Sequence, residues 1–266
     1  MVHSPLVSTP MRLLLVQARE DPYMEAQEQT CFVERCRVLP EHFQVLNVAR
    51  GGKPESVDLS NVHAVLIGGA GSFSAIEDHG WTEPLHDLVR EAVDAHLPIL
   101  GSCWGHQVIA RALGGTVIFD PDNTELGCRT VHRTEAGAAD PLFGRFSTPF
   151  KANMGHHDRV VHLPPNAVEL AHNAQSNQAF RLLDRPVYGT QFHSELDAKR
   201  EKERLIHYKS EFAEALPNRA AVERIFDTLA ETTDVDHLLY NFLATYVTRG
   251  PTTRTLKRRM TTLNSR

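Results

Sequence analysis

The stretch LPILGSCWGHQVIARALGG (97–115) contains the features that decide the fold. It opens with a short apolar run typical of a buried strand, continues with helical spacing of apolar residues and ends in a glycine pair that favours a helix stop. Between the two segments lie Gly101, Cys103 and Gly105. A strand, a sharp turn and a helix in this order are the thiol counterpart of the G-x-S-x-G nucleophile elbow.

Cys103 is the candidate nucleophile of this turn. The turn would expose it at the carboxyl end of the sheet, where open α/β sheets bind their ligands. A helix that begins at Trp104 adds positive potential, which favours the thiolate over the thiol. The alternative is a buried small residue, as most free cysteines are. The glycines favour the nucleophile, because they let backbone segments approach more closely than side chains permit.

The rest of the first half predicts strands alternating with helices. The predicted strands are MRLLLVQA (11–18), FQVLNVA (43–49) and VHAVLIGG (62–69), and the predicted helices are EAQEQTCFVERCRVL (25–39) and WTEPLHDLVREAVDAH (81–96). Continuous apolar runs of strand length indicate strands covered on both faces. The fold class is therefore α/β, a mainly parallel open sheet flanked by helices and joined by right-handed crossovers.

The second half changes character after about residue 128. Its strand-like segments are shorter and more alternating, as in antiparallel or mixed sheets. Three amphipathic stretches follow, at 197–214, 218–231 and 234–247. These C-terminal helices pack on the parent sheet or, alternatively, form a docking surface for a partner or a second copy in a homodimer.

Four segments are expected along the chain. They are a flexible arm (1–10), the α/β domain (11–197), a C-terminal helical extension (198–247) and a disordered basic tail (248–266). The tail holds basic residues and no acidic one, so it could bind nucleic acid or an acidic partner, but it lacks apolar periodicity, which favours a disordered terminus.

Composition excludes several classes of protein. The 266 residues are 41% hydrophobic and 23% charged, with a net charge of −5, which describes an ordinary globular protein and not a nucleic-acid binder. No apolar run is long enough to cross a membrane and no leader pattern begins the chain, so we expect a cytoplasmic protein without a membrane partner. The four cysteines show no paired spacing, which argues against a disulfide scaffold or a zinc ribbon.

The thiolate needs a base, and the base needs an orienting carboxylate. His193 ends the predicted strand PVYGTQF (186–192), and Glu195 follows two residues later. Both side chains would point to one side if the strand continued, so the carboxylate could fix the imidazole tautomer. Taken alone, the motif also fits a surface histidine.

Together, GSCWGHQ (101–107) and GTQFHSE (189–195) resemble the class I glutamine amidotransferase family over about residues 11–197. The resemblance implies a flavodoxin-like fold and a cysteine-dependent amidohydrolase that needs neither metal nor cofactor. It makes Cys103 the nucleophile, His193 the base and Glu195 the third member of the triad.

The resemblance also implies further site residues. The backbone N–H groups of Gly69 and Trp104 would bind the oxyanion, since GGAGSF (68–73) lies where the family has a glycine-rich strand end. The substrate pocket would be lined by residues scattered over the domain: Gly68, Gln107, His156 and Asp158. The last two match the S-H-G-D motif of the amidotransferase domain of GMP synthases.

The sequence departs from the family pattern at several positions. Ala70 replaces the proline of G-G-P, and Gly155 and His157 replace the Ser and Gly of S-H-G-D. These last two changes suggest a widened substrate pocket. No phosphate-loop motif or S-G-G-x-D segment occurs, and only roughly seventy residues follow Glu195, so we expect no synthetase domain in this sequence.

Three functions remain open. The first is an amidotransferase subunit that hydrolyses L-glutamine and passes ammonia to a separate synthetase chain. The second is a free-standing γ-glutamyl peptidase or hydrolase, since the same thioester forms from a γ-glutamyl substrate. The third is a non-catalytic binding module, which the intact Cys, His and Glu set argues against.

Overall fold

The computed structural model of the protein describes residues 11–248. The predicted arm at 1–10 and the basic tail, apart from Thr248, lie outside the described residues. Eleven strands are present in the described part: β1 (Leu13–Ala18), β2 (Phe43–Asn47), β3 (Ala64–Ala70), β4 (Ile99–Ser102), β5 (Thr116–Phe119), β6 (Glu125–Arg133), β7 (Phe150–His156), β8 (Asp158–His162), β9 (Ala167–His172), β10 (Asn177–Leu182) and β11 (Val187–Thr190).

Seven α-helices connect or follow these strands within residues 11–248. They are α1 (Pro22–Cys36), α2 (Thr82–Asp94), α3 (Trp104–Ala112), α4 (Glu135–Ala139), α5 (Ala198–His207), α6 (Arg219–Phe226) and α7 (Leu238–Tyr246). The helix predicted at 25–39 begins about three residues later in the sequence than the observed α1. The helix starts earlier because Asp21 accepts hydrogen bonds from the N–H groups of Tyr23 and Met24, and it ends at Arg37, whose φ of 55° is left-handed.

Nine strands form the central sheet, in the order β2-β1-β3-β4-β11-β10-β9-β6-β7. The five strands from β2 to β11 are parallel, and the four from β10 to β7 are antiparallel. The α/β class with a large parallel sheet and an antiparallel second half is confirmed. One element was not predicted: β5 and β8 pair in a small separate sheet.

Both faces of the parallel strands are buried, as the continuous apolar runs indicated. On β1, Leu13 and Leu15 join one apolar cluster, and Leu14 and Val16 join the other. Helices α1 and α7 cover the first face, and α2 and α3 cover the second. The fully buried Phe242 of α7 packs against Tyr188 of β11, so the last helix belongs to the core of this face.

We predict that Gly101→Ala destabilises the protein strongly. A Cβ at this position would lie 2.4 Å from the carbonyl carbon and oxygen of Gly105, and neither backbone segment can move without opening the strand–helix contact. The expected loss is ~3 kcal/mol or more in the free energy of unfolding, measured with urea. Gly80→Ala is the matched control, since nothing lies within 4 Å of its Cβ position, and it should change stability by less than ~0.5 kcal/mol.

Candidate active site

Cys103 sits between the last residue of β4 and the first residue of α3, with φ 53° and ψ −105°. A non-glycine residue rarely adopts this conformation, and such strain is typical of functional sites. The turn is this sharp because α3 rests directly on the sheet: a Cβ at Gly105 would lie 2.3 Å from the carbonyl oxygen of Ile67. The side chain of Cys103 is 6% exposed and faces a cavity at the carboxyl edge of the sheet.

His193 and Glu195 form a buried pair, with Nδ1 of the imidazole 2.9 Å from Oε1 of the carboxylate. The expectation that a continuing strand places them on one side is wrong, because β11 ends at Thr190. The chain then leaves the sheet direction, and the N–H of His193 donates to the carbonyl of Asn153. The bend, not strand alternation, brings the pair together.

The cavity encloses about 580 Å³, including the part open to solvent. Cys103 and His193 both line it. The other lining residues come from the ends of β1 and β3, from the start of α3, from β7 and β8, and from α5 with the turn behind it: Arg19, Ala70, Gly71, Phe73, Trp104, Gln107, Gly155, His156, His157, Asp158, Glu201, Arg204, Leu205, Tyr208 and Phe212. Trp104 is the first residue of α3, so its N–H has no acceptor within the helix.

Glu195 has three hydrogen-bond partners. Besides His193, its carboxylate accepts from Ser102 Oγ at 2.6 Å and from Arg204 Nη1 at 2.8 Å. Burial alone would raise the pKa of Glu195, but His193, Arg204 and Ser102 outweigh it and hold the pKa well below its usual range. The residue is therefore an anion at neutral pH.

The pKa of His193 is raised well above its usual value. Burial opposes the charge on the ring, but Glu195 outweighs it, with additional contributions from Cys103 and Glu201. The arrangement favours an imidazolium beside the thiol group.

A second buried carboxylate, Glu28 of α1, lies behind the glycine-rich end of β3. It accepts from Arg19 Nη2 at 2.8 Å, from Gln17 Nε2 at 2.7 Å and from the N–H of Gly69 at 3.1 Å. The N–H that the sequence assigned to the oxyanion is thus donated to Glu28 in this structure. Gly68 also faces Glu28, since a Cβ there would lie 2.7 Å from the carboxyl carbon, and the neighbouring Ala70 and Gly71 line the cavity instead.

The other three residues assigned to the substrate pocket lie together on one wall of the cavity. Gln107 Nε2 donates to the carbonyl oxygen of Asp158 at 2.8 Å and to Gln191 Oε1 at 3.1 Å. His156 Nδ1 lies 3.0 Å from the same Asp158 carbonyl oxygen, and the Asp158 carboxylate accepts from Ser74 Oγ at 2.5 Å. These contacts give the wall a fixed shape.

The space left by the missing side chain at Gly155 is filled, which contradicts the expectation of a pocket widened there. Glu201 Oε1 lies 3.1 Å and a methyl group of Leu205 3.6 Å from the Cβ position of Gly155. Both belong to α5, so the helix packs against β7 where a serine side chain would otherwise project.

Sequence reasoning missed the contribution of α5 to this site. Glu201, Arg204, Leu205 and Tyr208 recur at three- and four-residue intervals and so share one helical face, and this face covers the cavity. The segment AKREKERLIH resembles a solvated helix because charged residues dominate it. The sequence feature that could have indicated this contact is that the face mixes charges of both signs with the apolar Leu205 and the aromatic Tyr208.

His106, which follows the elbow, is not part of the cavity wall. Its ring packs against Phe180 with centroids 4.9 Å apart, and burial lowers its pKa to about 3. It is a neutral core histidine at physiological pH. Between residues 11 and 248, no group of three or more His, Cys, Asp or Glu side chains could hold a metal ion. Within the same range, no helix has the length and apolar character needed to span a bilayer.

The fold and the cavity define an α/β protein with an elbow cysteine facing a histidine–carboxylate pair. The model of the family "Glutamine amidotransferase class-I" matches residues 31–211. The chain belongs to the class I glutamine amidotransferase family.

Several curated relatives share parts of this sequence. "Gamma-glutamyl peptidase 4" of Arabidopsis thaliana is 34% identical over 140 residues, which is 50% of this chain and 54% of the relative. A glutamine-hydrolysing GMP synthase subunit of Methanococcus aeolicus is 37% identical over 106 residues, which is 40% of this chain and 54% of the relative. The chain spans about half the length of the curated relatives it matches.

Solved structures share the fold along most of the chain. A glutamine amidotransferase from Thermotoga maritima superposes with a TM-score of 0.69 at 24% identity, covering 90% of this chain and 99% of that one. A glutamine amidotransferase from Methylobacillus flagellatus gives 0.69 at 22% identity, covering 92% and 98%.

We predict that the stability of the protein falls at alkaline pH because of the His193–Glu195 pair. The folded-state pKa of His193 is raised above 6.5, so the stabilisation is fully present below pH 6.5 and is lost as the pH rises through the raised pKa. A difference of one in pKa between the folded and unfolded states corresponds to about 1.4 kcal/mol. Urea unfolding from pH 6 to 10 should show a steeper fall for the wild type than for Glu195→Gln, which lacks the anion. Parallel curves for the two proteins would contradict the assignment.

Proposed function

We propose that this chain hydrolyses the γ-amide of L-glutamine or of a γ-glutamyl compound through a thioester on Cys103. The observation that carries the proposal is the strained Cys103 at the sheet edge, in one cavity with a histidine whose Nδ1 is held by a buried carboxylate. This set of groups is what nucleophilic acyl transfer requires: a nucleophile, a base and a residue that orients the base.

The first step forms the thioester. The thiolate of Cys103 attacks the γ-carbonyl carbon, and the carbonyl electron pair moves onto oxygen. The N–H of Trp104, the first residue of α3 and so without an acceptor within that helix, is the first donor to this oxyanion. The N–H of Gly69 would become the second donor on leaving Glu28.

His193 moves the protons. As the oxyanion collapses, the C–N bond breaks and the imidazolium gives its Nε2 proton to the departing nitrogen. The ring then takes a proton from water, whose oxygen attacks the thioester carbon; the C–S bond breaks, leaving the γ-carboxylate of glutamate. Glu195 stabilises each imidazolium and keeps the ring in place, and Arg204 and Ser102 keep Glu195 in place.

The wall formed by Gln107, His156 and Asp158 is the proposed site for the glutamyl part of the substrate. In this proposal, the 11–197 domain carries the triad and the 198–247 region supplies the covering helix α5. Release of ammonia to a separate synthetase, as for the GMP synthase subunit among the relatives, is one form of the reaction. Cleavage of a γ-glutamyl amide without a partner is the other, and the likeness to a γ-glutamyl peptidase supports it.

We predict that a glutamine analogue with a chloroketone in place of the γ-amide alkylates Cys103 alone. Burial raises the pKa values of Cys31, to about 12, and of Cys36 and Cys128, so these thiols are poor nucleophiles. Peptide mass mapping identifies the labelled site, and Cys103→Ala should abolish glutamate release while leaving the unfolding transition in place. Modification of any other cysteine at a comparable rate would overturn the assignment of the nucleophile.

We predict that His193→Asn is as damaging as Cys103→Ala, whereas Glu195→Gln is milder. The imidazole transfers protons in both steps, but the carboxylate only orients and stabilises it. Glutamate release should fall by roughly 10⁴-fold or more in the first variant, and the double variant of Cys103 and His193 should be no worse than either single one. A His193→Asn protein with near wild-type rates would transfer the role of base to another residue, such as His156 of the cavity wall.

A further inference from the structure

The face of helix α5 that covers the cavity changes from polar to apolar along its length. Glu201 lies at the inner end, and Leu205 lies one turn further, about 6 Å along the helix. Tyr208 ends the helix, and the turn that follows adds Phe212. Glu201 and Leu205 are buried, whereas Tyr208 and Phe212 are half-buried. The face therefore forms an apolar path from the interior of the cavity to its mouth.

Aromatic side chains from other parts of the chain extend this mouth. The ring of His157 packs between Phe212 and Phe119, with centroids 5.6 Å and 4.9 Å away. Phe73 lines the cavity as well. All of these rings are half-buried or exposed. Apolar surface that stays in contact with water at the mouth of a cavity is typical of a ligand-binding groove. His157, which stands where the family pattern has glycine, is thus part of an aromatic rim.

The position of His193 indicates which part of a substrate reaches the apolar path. Because Nδ1 is held by Glu195, Nε2 is the nitrogen that serves the departing group in the proposed hydrolysis. The Cβ position of Gly155 lies 4.0 Å from this Nε2, and it lies 3.1 Å from Glu201 Oε1 and 3.6 Å from a methyl group of Leu205. The departing nitrogen therefore separates where the path along α5 begins.

Glu201 supplies a polar contact at this inner end. Its Oε2 atom is buried and has no hydrogen-bond partner among residues 11–248. Buried polar atoms are normally paired, so a ligand that donates an N–H here would complete the site. The nitrogen of a substituted amide carries one such N–H. A carboxylate followed by an apolar path matches an amide nitrogen followed by an apolar substituent.

We propose that the substrate is a γ-glutamyl amide with an aromatic substituent on the amide nitrogen; this rests on the proposed hydrolysis through Cys103. The substituent lies against Leu205, and its ring packs among the aromatic side chains of the mouth. Hydrolysis adds water across the γ-carbon–nitrogen bond, and glutamate and the aromatic amine are released. Ammonia, the leaving group of glutamine, is too small to contact this path.

The size and chemistry of the cavity support a substrate of this class. Its volume of about 580 Å³, part of it open to solvent, falls within the range of roughly 300–1,000 Å³ found for sites that enclose drug-sized ligands. Transfer of an aromatic ring from water to an apolar surface is favourable, and edge-to-face contacts with other rings add to the gain. The aromatic part of the leaving group therefore determines selectivity.

The test compares L-γ-glutamylethylamide with L-γ-glutamyl-2-phenylethylamide, which differ by one phenyl ring and carry no charge on the leaving side. In the wild type, kcat/KM for glutamate release should be at least about tenfold higher for the phenylethylamide, since a matching apolar pocket gains that much or more from added apolar groups. L-γ-Glutamylphenylalanine has the same ring with a carboxylate beside the nitrogen. A higher kcat/KM for it than for the phenylethylamide identifies a peptide as the source of the ring, and a lower one identifies an amine.

Two variants locate the ring. Phe212→Ala and His157→Ala each remove one aromatic side chain from the mouth, so each should lower the ratio of the two kcat/KM values several-fold. The ratio is taken on one preparation, so any unfolded fraction cancels. Ile206→Ala is the matched control, because Ile206 lies on α5 but is 51% exposed and outside the cavity lining. It should keep the ratio of the wild type.

Two sets of outcomes separate this proposal from the one on which it rests. Equal kcat/KM values for the ethylamide and the phenylethylamide in the wild type, or an unchanged ratio in both Phe212→Ala and His157→Ala, would overturn the aromatic subsite and leave the thioester mechanism standing. Absence of glutamate release from both amides and from L-glutamine, or release that survives Cys103→Ala, would instead remove the proposed function itself.

Discussion

The site depends on one close contact between backbones. The first turn of helix α3 rests directly on β3 and β4, because Gly105 lies against the carbonyl of Ile67 and Gly101 against the carbonyl of Gly105. The connecting residue, Cys103, must then adopt a left-handed conformation and project from the sheet edge. Strain at the cysteine is thus a consequence of packing, and the rest of the core holds it in place.

A buried charge network connects helix α5 to this edge of the sheet. Arg204 of α5 bonds to Glu195, and it lies 3.5 Å from Glu28 as well, so one guanidinium group lies between the carboxylate that orients His193 and the one that holds β3. Removing one member of a buried ion network leaves its partners uncompensated, which costs several kcal/mol. Helix α5 is therefore required for the geometry of the pair, although neither His193 nor Glu195 belongs to it.

The elements that a sequence could predict are those determined by local pattern. The apolar run of β1 and the glycine–cysteine–glycine turn indicated the sheet and the elbow, and the spacing of α2 indicated its buried face. The pairing of β5 with β8 has no such pattern, since β5 is half-buried to exposed and its partner lies about forty residues away. The pairing of Arg204 with Glu195 could not be predicted from the sequence either. The many charged residues of α5 predict a solvent-exposed helix, and only the tertiary fold places this helix over the cavity.

In the proposed mechanism the Gly69 N–H leaves Glu28 to become the second donor to the oxyanion, and the free-energy cost of this exchange can be compared with its gain. Glu28 is anchored by Arg19 and Gln17, so it loses only one charge-assisted hydrogen bond, about 1.5–3 kcal/mol, when Gly69 turns away. An oxyanion donor contributes roughly 2.7–4 kcal/mol, but only once negative charge has formed on the substrate oxygen. On the proposed mechanism, the two terms are close enough that the ground-state substrate would leave the N–H on Glu28, whereas the tetrahedral intermediate would draw it away. Such a donor acts on the transition state and not on bound substrate, which is the condition under which an interaction raises the rate of the chemical step.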